Sequence, residues 1–207
     1  LFLLWLLLTL PFFSNLNANE NFTFDITEIE ITEGGNKIKG FNGGKAYTED
    51  GDVITANTFT YNKITNILEA YGNVKYENKI KDIIIYSDEV IYLKNEEKIY
   101  TKKNSKAERA KTKDKISANT FTYNKITNIL EAYGNVKYEN KIKDIIIYSD
   151  EVIYLKNEEK IYTKKNSKAE NKGLTINAQN FFYDKSIDTL NANKNVKIID
   201  NLKDYII

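Results

Sequence analysis

A chain of 207 residues with 30 Lys+Arg against 29 Asp+Glu carries a net charge of +1, so no overall basic field exists to hold nucleic acid or an anionic membrane. His, Cys and Met are absent, which removes the usual general base, thiol nucleophiles, disulfides, zinc fingers and imidazole-bound metals together. Neither an enzyme nor a bound cofactor or metal is expected.

In chain order, Leu1 to Phe13 contains no charge and is too short to cross a bilayer, and the polar stretch Ser14-Asn15-Leu16-Asn17-Ala18 follows it. This is the pattern of a secretory h-region running into a cleavage site after Ala18. Because no Met or cationic start precedes it, an N-truncated signal peptide over 1–18 is expected, with an exported mature part over 19–207.

The mature part is built of repeats. Ala56 to Glu108 recurs without a change as Ala118 to Glu170, the mark of a recent tandem duplication or of an assembly error. Beneath it lies an older period of half that offset. Ala56-Asn57-x-Phe59-x-Tyr61-x-Lys63 with Leu68-x-Ala70 aligns with Ser87-Asp88-x-Val90-x-Tyr92-x-Lys94 with Ile99-x-Thr101. The frame returns at Ala118, Ser149 and Ala178, and a degenerate first copy runs through Ile29, Ile31, Ile38 and Gly40. About six units result. The last repeats Asn73 to Ile85 as Asn195 to Ile207, so a C-terminally truncated array is expected.

Within a unit the apolar period is two. Leu68, Ala70, Val74 and Tyr76 share one parity, and Phe59 and Tyr61 alternate with Thr58, Thr60 and Asn62. Asn62 to Asn66 reads as a hairpin loop, Gly72-Asn73 as a corner or bulge, and Ile83-Ile84-Ile85-Tyr86 as a strand covered on both faces. Gly34-Gly35 and Gly43-Gly44 read as turn glycines. A two-strand rung cannot bury its apolar face alone, so stacked all-β rungs are predicted. Lys94 with Glu96 and Glu97 reads as a solvated rim.

The unit Ala-(Asn/Asp)-x-(apolar)-x-Tyr, then Leu-x-Ala-x-Gly-Asn-Val, carried by Ala56, Asn57, Phe59, Tyr61, Leu68, Ala70, Gly72, Asn73 and Val74 and again from Ala118 to Val136, resembles the repeat of the OstA-like family. These are the periplasmic β-jellyroll domains of the lipopolysaccharide-transport proteins LptA, LptC and LptD. In the last unit Lys194 stands in place of the glycine, which puts the corner there in question. The resemblance spans residues 22 to 207. It implies a half-open, V-shaped stack of antiparallel strands whose interior groove carries the acyl chains of lipopolysaccharide across the periplasm. A signal sequence directly before the repeats fits the N-terminal domain of LptD, which precedes an outer-membrane barrel, slightly better than free LptA.

The interior stripe expected to line the groove comprises Phe59, Tyr61, Leu68, Ala70, Val74 and Tyr76, then Phe121, Tyr123, Leu130, Ala132, Val136 and Tyr138, then Phe181, Tyr183, Leu190 and Val196. From the pattern alone the same stripe reads first as the ordinary core of a closed sandwich, and it is the resemblance that turns the reading toward a groove. Phe22, Phe24 and Ile26 mark an edge strand to which another Lpt jellyroll could add its own. The competing class is a structural or adhesive cell-surface β-solenoid without a lipid ligand.

Overall fold

The period-two alternation is realised as antiparallel strands in a computed structural model, which describes residues 22–201, 203, 205 and 206. The expected signal peptide lies outside the described residues. The first strands are β1 (Thr23–Thr32), β2 (Lys37–Tyr47), β3 (Asp52–Ala56), β4 (Thr58–Asn62), β5 (Ile67–Asn78) and β6 (Ile83–Leu93). Next come β7 (Lys98–Lys102), β8 (Ser105–Glu108), β9 (Asp114–Ala118), β10 (Thr120–Asn124), β11 (Ile129–Asn140) and β12 (Ile145–Leu155). The last are β13 (Lys160–Lys164), β14 (Ser167–Asn171), β15 (Leu174–Ala178), β16 (Asn180–Asp184), β17 (Thr189–Asn193), β18 (Lys197–Asp200) and β19 (Tyr205–Ile206).

A single crease organises these strands. The first half of β5 pairs with β4 and with the second half of β6, while its second half pairs with β3 and the first half of β6. The β5–β6 ladder skips between Tyr71 and Val74, where Gly72 and Asn73 hold φ of 74° and 49°. At the same level β3 is broken from β4 at Asn57, β7 from β8 at Lys103-Asn104, and β9 from β10 at Asn119. The result is one hydrogen-bonded sheet folded into two facing layers, the β-jellyroll expected from the repeat.

Two corner chemistries alternate. At Gly72 and Gly134 the opposite chain comes so close that a Cβ would lie 2.7 Å from Asn57 Nδ2 and 2.5 Å from Asn119 Nδ2, and φ is positive, so glycine is required. At Lys103-Asn104 and Lys165-Asn166 the cross-corner backbone bonds are longer, 3.4 and 3.5 Å from the Asp88 and Asp150 amides against 3.0 and 2.9 Å at the glycine corners. There Ser87 Oγ donates to the carbonyls of Lys102 and Lys103, and Ser149 Oγ to those of Lys164 and Lys165. The missing glycine at Lys194 does not abolish the corner: Lys194 and Asn195 adopt φ of 63° and 52°, and the Lys194 carbonyl accepts from the Gln179 amide at 2.9 Å.

Burial alternates along the strands, as the period demands. One expectation fails at Ile83 to Tyr86. Ile83 and Ile85 are buried, but Ile84 is half-buried and Tyr86 is exposed on the outer face beneath the Lys106 ammonium. An amphipathic lysine stem and cation–π contact provide the cover that a second layer was expected to supply.

Gly134→Ala is expected to destabilise the fold by about 1–2 kcal/mol in urea unfolding, combining the strain of a Cβ at positive φ with the clash against Asn119. An Asn135→Gly control should leave stability within about 1 kcal/mol of the parent.

Candidate functional site

Fourteen of the sixteen residues expected to line the groove lie on one continuous interior surface, each nearly inaccessible to solvent, from Phe59 to Tyr183. Leu190 packs half-buried against this core, whereas Val196 is 45% exposed and does not belong to it. The stripe has a second half that the sequence reading left out. Val90, Tyr92 and Ile99, with Val152, Tyr154 and Ile161, are buried in the same interior. The shorter repeat offset, which aligns Val90 and Tyr92 with Phe59 and Tyr61, is the signal that marks them.

The trough expected between the layers is filled by these side chains. Tyr76 meets Tyr92 and Tyr123 across the interior at centroid distances of 6.5 and 6.4 Å, and Tyr138 meets Tyr183 at 6.4 Å. A partly open gap at the seam, beside Leu130, Tyr154, Arg109 and Lys156, has a volume of about 10 Å³, room for about one water and far short of an alkyl chain.

The rims opposite the crease are sewn together by buried ions. In a first cluster, Lys125 Nζ donates to Asp52 at 2.6 Å, to Asp50 at 2.6 Å, to the Tyr92 hydroxyl at 2.5 Å, and to Glu97. Asp52, fully buried, also accepts from Tyr76 at 2.7 Å, Asn78 at 2.7 Å and Tyr92 at 2.8 Å. Asp50, Asp52 and Glu97 form a three-carboxylate group of metal-binding size, but the Lys125 ammonium contacts all three. Against the cost of burial, these three carboxylates hold the Lys125 pKa above its ordinary value. Glu97, against its own burial, is held low by Lys125 and Lys94. The solvated rim predicted for Lys94, Glu96 and Glu97 is therefore corrected: Glu96 pairs with Lys98 at the surface, while Lys94 and Glu97 belong to the seam.

A second cluster repeats the first. Lys185 Nζ donates to Asp114 at 2.6 Å, to the Tyr154 hydroxyl at 2.8 Å, and to Glu159. Asp114 also accepts from Tyr138 at 2.7 Å and Asn140 at 2.7 Å. Arg109 adds an ion pair to Glu159 at 2.6 Å and a bond to Tyr154. Burial opposes the ionisation of Asp114, but Lys185 and Thr112 hold it below the usual carboxylate range.

Between the clusters the seam changes character. Lys156, the frame's lysine between Lys125 and Lys185, is buried and donates to the Lys81 carbonyl at 2.9 Å and the Tyr123 hydroxyl at 3.4 Å, with no carboxylate in hydrogen-bonding reach of its Nζ among the described residues. The residue of its frame that would match Asp52 and Asp114 is Ile83. Burial first, then repulsion from Arg109, pulls the Lys156 pKa down to about 8.

The edge expected at the N-terminus is present. Among the described residues β1 pairs only with β2 and leaves its other edge unpaired. Phe22, Phe24 and Ile26 point inward from it, with Phe22 packed edge-on against Tyr61 and Tyr92.

Two creased layers of stacked antiparallel rungs, closed by a polar seam, define the class as a β-jellyroll repeat. A solved structure of the same build is LptH of Pseudomonas aeruginosa, described as the LptA-homologous periplasmic component of the lipopolysaccharide transport device. The likeness has a TM-score of 0.51 at 17% identity, covering 54% of this chain and 82% of that one. No protein-family profile matches the sequence, and no curated protein matches it.

The two kinds of seam lysine should respond oppositely to removal of charge. Lys125→Met leaves the carboxylates around Asp52 uncompensated and is expected to cost about 3–5 kcal/mol. Lys156→Met removes an unpaired buried ammonium and is expected to stabilise the fold at neutral pH by about 2 kcal/mol. The folded pKa of Lys156 lies below the unfolded value of 10.5. Its contribution to stability therefore rises with pH between about 8 and 10.5, where the unfolded chain binds more protons, and is constant below that window. Urea titrations at about pH 7 and 10 should show this rise in the parent, diminished in Lys156→Met.

Proposed function

We propose that this chain acts in periplasmic lipopolysaccharide transport, holding the acyl chains of lipid A between its two layers as one jellyroll of an Lpt bridge. The observation that carries the proposal is the creased, two-layer stacking of the OstA-like unit, the build of LptH, joined to an unbroken apolar interior running from Phe59 to Tyr183. Each CH₂ moved out of water contributes about 0.8 kcal/mol, so a chain of a dozen carbons gains on the order of 10 kcal/mol inside such an interior. Near-identical rungs keep that gain uniform from step to step.

The filled interior sets a condition. A lipid tail enters only if the layers part and the interior aromatics swing aside, which means opening the seam between its ion clusters. Lys156, held by one carbonyl and one hydroxyl, is the point of least resistance. In this reading the open edge of β1 receives a strand from a second Lpt jellyroll, joining two interiors. As an LptD-type N-terminal domain, it would hand its cargo to an outer-membrane barrel, and its place is the periplasm beside that membrane. The sealed interior also favours a second reading, a structural or adhesive β-solenoid at the cell surface that binds no lipid.

Photocrosslinking amino acids at Phe121 or Tyr138, with the exposed outer-face position Tyr133 as control, separate the two readings. Periplasmic expression followed by mass spectrometry of the adducts should give lipopolysaccharide at the interior positions only. A folded protein with no lipid adduct at either interior position would end the transport proposal and leave the solenoid reading standing.

A further inference from the structure

The large apolar side chains with at least 67% exposure among the described residues all sit at the tips of turns: Ile64, Ile80, Ile126, Ile142 and Ile187. Ile64, Ile126 and Ile187 tip turns on the rim of one layer, and Ile80 and Ile142 on the rim of the other. Seam contacts bring these rims side by side. Lys81 Nζ donates to the Lys125 carbonyl at 3.1 Å, setting the turn of Ile80 beside that of Ile126. Lys143 pairs with Asp188 at 3.7 Å, setting the turn of Ile142 beside that of Ile187. The two pairs are four strands apart, about 19 Å at the usual strand spacing.

Duplication explains Ile126 and Ile142 as copies of Ile64 and Ile80. It does not explain Ile187, which lies outside the copied segment and keeps the isoleucine. Leu202-Lys203-Asp204 likewise repeats Ile80-Lys81-Asp82 in sequence.

The charges around these tips are not balanced locally. Asp50 and Glu97 are committed to Lys125, Glu159 to Lys185 and Arg109, and Asp188 to Lys143. Lys79, Lys111, Lys113 and Lys141 are exposed and form no ion pair among the described residues, whereas Glu49 and Asp144 are the acids on these turns in the same condition. A net charge of +1 excludes attraction by the molecule as a whole, but it conceals this surplus on one face.

We propose that the seam face docks on an anionic lipid bilayer, with the turn isoleucines inserted at the headgroup boundary and Lys79 and Lys141 against lipid phosphates. An apolar tip flanked by lysines matches the two components of interfacial binding, burial of aliphatic surface and attraction to anionic headgroups. The pairing of Ile80 with Ile126 and of Ile142 with Ile187 gives two such anchors on one face, so each reinforces the other. This docking is independent of what the interior carries.

Flotation of the purified chain with vesicles of phosphatidylcholine and phosphatidylglycerol tests the proposal. The parent should float with anionic vesicles at low salt and lose most of that binding at high salt or on pure phosphatidylcholine. Ile80→Asn/Ile126→Asn/Ile142→Asn should reduce binding about tenfold or more with an unchanged thermal midpoint, since these side chains are exposed. Lys79→Gln/Lys141→Gln should weaken binding and flatten its salt dependence. Absence of binding by the parent, or equal binding by the isoleucine variant, would overturn the proposal. So would self-association of the parent in solution that the isoleucine variant abolishes without any vesicle binding, which would assign the face to a second copy of the chain.

Discussion

An alternating strand has one oily face, and in this molecule both halves of every long strand must hide it. The solution is to bend each strand at the same level, so that its two halves lie in facing layers and cover one another. Everything else follows from that bend. Glycine is held at Gly72 and Gly134 because φ is positive there and the opposing Asn57 and Asn119 crowd a Cβ, and at the alternate corners the hydroxyls of Ser87 and Ser149 tie the layers by donating to backbone carbonyls. The length of one repeat unit is the length of chain needed to climb over the crease and return.

Folding the sheet in two leaves a second boundary to close, where the free rims meet. Apolar side chains reach only as far as the last interior position of each half-strand, and beyond it the aromatic hydroxyls of Tyr76, Tyr92, Tyr138 and Tyr154 need partners. Asp52 and Asp114 provide them, and a lysine from the facing rim then neutralises each carboxylate. Because the matching position is Ile83 in the intervening unit, Lys156 arrives without a carboxylate to meet it. Strong and weak links therefore alternate along the seam in step with the two-unit repeat.

The interior and the seam face pose different physical problems. Inside, from Phe59 to Tyr183, the aromatic rings fill the space between the layers among the described residues, so a guest there must displace protein atoms whose packing is already close to solid. Outside, the turn isoleucines are held in water by the tightness of the hairpins beneath them, where Asn62 and Asn124 side chains cap the turn amides. A surface that keeps aliphatic tips exposed carries a free-energy cost that contact with a partner removes.

The sequence alone determined the all-β class, the six-unit register, the hairpin over Asn62 to Asn66, the crease at Gly72-Asn73 and the inward parity of Phe59, Tyr61 and Leu68. Each of these rests on local chemistry: alternation, turn residues and the need of a rung for a neighbour. Tertiary structure decided what that local pattern could not contain. Whether an inward stripe lines a cavity or fills it depends on the distance between two layers, which no periodicity encodes. That Lys125 finds Asp52, two repeat units and more back along the chain, depends on the stagger of one rim against the other. Glu97, plain at a turn in the sequence, became part of a buried cluster because the pairing of β7 with β10 sets it beside Lys125 on the same rim, where the facing rim brings Asp50 and Asp52 to the same ammonium.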